Sequence, residues 1–150
     1  MKRRPFLVLA SVFLAMIGVR GSAGAESKPP PPPFVVIVHP SNPAASLDRK
    51  FVADAFLKKV TRWTNGDVIR PVDLPPDSST RARFSDDVLN RSVHAVKSYW
   101  QQIIFSGRDV PPPELASDAD VVKYVAQTPG SIGYVSGTTT LDGVRAVRVE

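Results

Sequence analysis

The run Phe34-Val35-Val36-Ile37-Val38-His39 constrains this chain more than any other feature, because it is continuously apolar, β-branched and short. Such a run is a strand covered on both faces, so helices must lie above and below the sheet that contains it. Pro40 ends it.

Downstream, helical and extended patterns alternate. Ser46-Leu47-Asp48 opens a helix in which Val52, Ala55, Phe56 and Val60 recur at helical spacing, with Phe51 and Trp63 sealing the element and Asn65-Gly66 turning the chain. Val68 to Val72 reads as a second strand that, by Pro71, lies near an edge or leaves the sheet there, and Pro75-Pro76 forces an extended loop. Arg81 to Leu89 is weakly amphipathic through Phe84 and Val88, while Ser92 caps a stronger helix that carries Val93, Val96, Trp100, Ile103 and Ile104 on one side. Ser106-Gly107 ends that helix, and the loop Asp109 to Glu114 holds three prolines. Ser117-Asp118-Ala119-Asp120 is a capping pattern that opens a further helix through Val121, Val122 and Val125, stopped by Thr128-Pro129-Gly130. Ile132 to Val135 and Val144 to Val149 complete the pattern as strands. The expected fold class is α/β, a mixed sheet of about four to five strands flanked by helices.

The N-terminal segment reads differently. Lys2, Arg3 and Arg4 precede the apolar run Pro5 to Val19, and Ala23-Gly24-Ala25 supplies small residues, the layout of a secretory signal peptide over 1–25 cleaved after Ala25. The apolar run is shorter than the roughly 20 residues a membrane span needs, so the expectation is export to the periplasm with no stable membrane insertion after cleavage. Residues 26–33, with Pro29 to Pro33 in sequence, form a stiff polyproline II spacer; five such residues reach roughly 15 Å at about 3.1 Å each. The domain proper is 34–150.

Charge follows the same division. Four of the 19 basic residues, Lys2, Arg3, Arg4 and Arg20, fall in the first 25 positions, which hold no acid, and the remaining 15 face 14 acidic residues. The domain is therefore close to neutral and has no broad field for nucleic acid. With no cysteine, disulfides, thiolate metal sites and cysteine nucleophiles are excluded. His39 and His94 have no partner at metal-ligand spacing, Asp86-Asp87 do not share a helix face, and no P-loop, dinucleotide fingerprint or Gly-x-Ser-x-Gly elbow is present. The expectation is a non-enzymatic protein with no cofactor and no metal.

Three segments in order carry a family resemblance: Leu47 to Trp63 (LDRKFVADAFLKKVTRW), Ser78-Ser79-Thr80, and Pro129-Gly130-Ser131-Ile132-Gly133-Tyr134-Val135. The last is the most specific, since it requires glycine at a turn and within a strand where backbones approach closely, followed by an aromatic residue. Together they resemble the second lobe of the phosphate-specific periplasmic binding proteins, the substrate-binding components of ABC transporters with the type 2 periplasmic binding fold. The resemblance runs from about Phe34 to Val147. It implies one lobe of a two-lobed fold, a small oxyanion such as phosphate as ligand, and a membrane permease or another envelope protein as partner. It also places Ser78, Ser79 and Thr80 at the family's Ser-Gly-Thr phosphate loop, where hydroxyls and free N–H groups at a helix start favour an anion, with Arg81 and Arg83 nearby to add positive charge. A simple N-cap explains these hydroxyls as well, and both readings stand. Ser41, after the first strand, is a further ligand-loop position.

The chain departs from the family pattern at this loop. Ser79 replaces the central glycine, Asp77 brings a negative charge, and the stretch Asp73 to Asp77 lacks the family's preceding arginine. One lobe covers only part of an ion and replaces its solvation incompletely, so the expectation is weak oxyanion binding; Asp77 and the missing arginine favour the alternative, a ligand-free protein-interaction module.

Overall fold

The computed structural model describes residues 27–150, and the expected signal peptide lies outside them. The elements in order are β1 (Val35–Val38), β2 (Ser46–Leu47), α1 (Arg49–Phe56), β3 (Arg70–Pro71), α2 (Ser79–Phe84) running into a π-helical turn (Ser85–Leu89), α3 (Val93–Phe105), α4 (Asp118–Gln127), β4 (Ser131–Val135) and β5 (Arg145–Val149). Residues 27–33 are exposed and carry neither helix nor strand.

The five strands form one mixed sheet in the order β2-β5-β1-β4-β3. The FVVIVH run is its central strand. Val36, Ile37 and Val38 are buried, and β1 pairs antiparallel with β4 (Val35↔Val135, Val38↔Ile132) and with β5 (Val36↔Val147). The two outer pairings, β2 with β5 and β3 with β4, are parallel. Each fully buried apolar side chain of this core contributes about 1.5–3 kcal/mol, and β1 and β4 supply the largest contiguous block of them.

Capping accounts for the helix starts. The side chains of Asp48, Ser78, Ser92 and Ser117 accept from the N–H groups of Phe51, Arg81, Ala95 and Asp120. In the segment read as a helix opening, Asp48 alone caps, whereas Ser46 and Leu47 pair with β5. The same helix stops at Phe56, short of Val60, because Lys58 turns into the left-handed region (φ 53°). The second strand shrinks to Arg70–Pro71, with Val68 held separately in a bridge to Arg62. On α3, Val96 and Trp100 are buried, but Ile104, in the last turn, is about half exposed.

The glycine reading of residues 129–135 has a direct structural basis. Gly130 adopts φ +81°, and a Cβ there would lie 2.3 Å from the Val68 carbonyl oxygen; at Gly133 a Cβ would lie 2.8 Å from Val121 Cγ1. Gly133 is thus what lets α4 settle on β4. Tyr134, the aromatic residue that follows, is fully buried and stacks on Phe84 at 3.9 Å between ring centroids. Phe56 packs edge-on against Phe84 at 4.7 Å, joining α1 and α2 over the sheet.

Candidate functional site

The turn after β3 leads into α2, and Ser78 is its N-cap: the Ser78 Oγ accepts from the Arg81 N–H at 3.2 Å. The hydroxyl is therefore committed to the helix, a role worth about 1 kcal/mol. The N–H groups of Ser79 and Thr80, in the first turn, have no preceding helical carbonyl to reach. Ser79 and Arg83 are exposed and Thr80 is partly buried.

Arg81 takes another direction. It lies in the helix stripe that also carries Phe84, Ser85 and Val88, and it is 5 % exposed. Its Nη1 donates to the Leu74 carbonyl and to Glu114 Oε1, both at 2.7 Å, and its Nη2 lies 3.5 Å from Asp73 Oδ2. Asp73 Oδ1 in turn accepts from the Leu74 N–H at 3.0 Å and from the Tyr134 hydroxyl. A guanidinium is driven into such a place only when carboxylates and carbonyls replace its water. Burial pushes the Asp73 carboxyl above its ordinary value, with Arg81 and the Tyr134 hydroxyl opposing that rise. The Tyr134 hydroxyl is also pushed up, first by burial and then by the Asp73 charge. The Arg81 Nε is buried with no protein partner among the described residues.

Two cavities bear on the candidate residues, and only the first adjoins Arg81. One, of about 500 Å³, is lined by Arg81, Asp73 and Glu114 together with Trp100, Lys97 and the Pro111-Pro112 segment. The other, of about 430 Å³, holds Ser41, Trp63, Asp48 and Asp67, with no lysine or arginine in its lining. Ser78, Ser79 and Thr80 line neither.

The candidate residues named from the sequence are thus divided. Ser78 to Thr80, with Arg83 on the same short helix, follow β3 and lie toward the end of the sheet where β4 ends. Ser41 follows β1, which runs antiparallel to β4, so it lies at the opposite end of the strands, bonded to His39 (Oγ to Nδ1 2.7 Å). Arg81 faces the interior rather than the turn, because Asp73 and Glu114 offer it better replacement for water than the surface would. Sequence reasoning missed those two carboxylates. The available signal was an arginine at a core position of an amphipathic stripe, which calls for a buried acid nearby in space.

A family model described as PBP superfamily domain matches residues 32–146. The chain belongs to this superfamily. No curated protein matches the sequence. Among solved structures, an ABC-type phosphate transport receptor from Vibrio cholerae superposes with a TM-score of 0.61 at 17 % identity, covering 77 % of this chain and 45 % of the receptor. PstS from Borrelia burgdorferi gives 0.61 at 16 % identity over 78 % of this chain and 47 % of that one. The PBP superfamily domain described here therefore spans less than half the length of these receptors, and its five-stranded mixed sheet with four helices has the fold of one receptor lobe. No helix among the described residues is long and apolar enough to cross a membrane.

Proposed function

We propose that this PBP superfamily domain is an exported, non-enzymatic binding module of a transport or sensing system that docks to another envelope protein, and that oxyanion binding at the Ser78–Thr80 turn is weak. One observation carries the reading: Arg81, the first cation after the turn in the chain, is buried and paired with Asp73 and Glu114. An anion leaves water only when charge or several donors replace its hydration. The turn offers two N–H groups and the hydroxyls of Ser79 and Thr80, and the negative Asp77 adjoins it. The docking face in this proposal is the exposed edge around Ser79 and Arg83.

The test is calorimetric titration of the full chain with phosphate and with sulfate, alongside photo-crosslinking from position 83 in producing cells. The expected outcome is no saturable heat below about 1 mM anion, equivalent to less than ~4.1 kcal/mol of binding, with one discrete crosslinked adduct. A submillimolar phosphate affinity that Ser78→Ala with Thr80→Ala abolishes overturns the proposal. It would establish the second reading, a phosphate-binding module, which the free N–H groups of Ser79 and Thr80 and the exposed Arg83 favour. Absence of any adduct also counts against docking at this edge.

A further inference from the structure

The cavity beside Arg81 is a binding site in its own right. Its volume, about 500 Å³, lies in the range of small-molecule sites. Its apolar part is formed by Val93, Trp100 and Ile104 from α3 together with Pro111 and Pro112. Charged groups of both signs share the lining: Arg81 paired with Asp73, then Lys97 and Glu114, with His94 and Gln101 beside Lys97 on α3. On α3, Lys97 faces the cavity one turn before Gln101 and forms no ion pair with the described residues. In the same lining, Glu114 gives Oε1 to Arg81 while its side chain stays 47 % exposed, and its Oε2 has no hydrogen-bond partner among the described residues.

A ligand bearing only a carboxylate meets the Glu114 and Asp73 carboxylates, and one bearing only an ammonium meets Lys97 and Arg81. A net-neutral zwitterion with an apolar side chain satisfies both poles and fills the apolar wall. We infer that this cavity binds a free α-amino acid with an aromatic or branched aliphatic side chain, its carboxylate on Lys97, its ammonium on Glu114 and its side chain against Trp100. The site is separate from the Ser78–Thr80 turn and does not depend on the reading given to that turn.

The experiment titrates the full chain with L-phenylalanine and L-leucine while following tryptophan fluorescence and binding heat. 3-Phenylpropanoate and 2-phenylethylamine serve as probes that keep one pole each. The expected result is saturable binding of an amino acid, at least about tenfold weaker binding of both one-pole probes, and a similar loss with Lys97→Met, each equivalent to ~1.4 kcal/mol. Lys97 is exposed and forms no ion pair with the described residues, so this variant keeps the fold. Glu114→Gln should weaken the amino acid but not 3-phenylpropanoate. Lack of saturation by either amino acid, equal or tighter binding of a one-pole probe, or full binding by Lys97→Met overturns the inference.

Discussion

Replacing Arg81 by methionine separates a structural guanidinium from one held ready for an anion. The substitution keeps much of the side-chain volume but leaves Asp73, whose side chain is 9 % exposed, without its cation. Breaking a buried pair in this way costs about 3–5 kcal/mol. The half-exposed Glu114 partner adds less than about 1 kcal/mol, because solvent screens it. With a urea m-value of about 1.5 kcal/mol/M, the denaturation midpoint should fall by roughly 2–3 M. The cost also carries a pH signature. Burial raises the folded-state pKa of Asp73 above 3.8, so the folded protein holds that proton more tightly than the unfolded chain. The associated stability is present below the unfolded value and is lost as pH rises through the folded one. Removing Arg81 raises the folded value further. The deficit of Arg81→Met should therefore be largest at neutral pH and shrink as pH falls toward 4. Asp73→Asn added to Arg81→Met should recover about 2 kcal/mol at pH 7, since no uncompensated charge then remains. Urea denaturation followed by far-UV circular dichroism at pH 7 and pH 4 measures all of this. A loss below about 1 kcal/mol at pH 7, independent of pH, would refute the reasoning.

Other substitutions probe separate features. Gly133→Ala should destabilise by about 1–3 kcal/mol in a thermal melt, because its Cβ would lie 2.8 Å from Val121 Cγ1 and 3.1 Å from Val72 Cγ2; an unchanged melting temperature would mean that α4 does not sit tightly on β4. Ser117→Ala removes the α4 cap and should cost about 1 kcal/mol by the same assay, with a neutral result arguing that the cap is not formed. Phe105→Ser, at a residue 97 % exposed, should leave stability within about 0.5 kcal/mol, and a larger loss would place that ring inside the fold.

The periodicity of apolar residues carried most of the fold. FVVIVH could only be a strand with both faces covered, and Val121, Val122 and Val125 marked the buried face of α4 without ambiguity. Turn chemistry did the same for Gly130, where φ > 0 and a neighbouring carbonyl leave no room for a side chain. Boundaries were less legible. Lys58 leaves the helix by a left-handed step that no nearby glycine announces, and the outer strands β2 and β3, two residues each, depend on pairing with partners far along the chain. The candidate site was legible in part. The serine cap of α2 follows from local sequence, but the inward turn of Arg81 depends on Asp73 and Glu114, which only the folded chain brings to it.

The position of the Arg81 guanidinium can be read directly by nitrogen-15 NMR of the arginine side chains with and without phosphate. A guanidinium held between Asp73 and Glu114 should show a resolved Nε–H resonance with slow hydrogen exchange and no shift as phosphate is added to millimolar concentration. Rapid exchange together with a saturable phosphate-dependent shift of that resonance would contradict the account and place the arginine in the anion site.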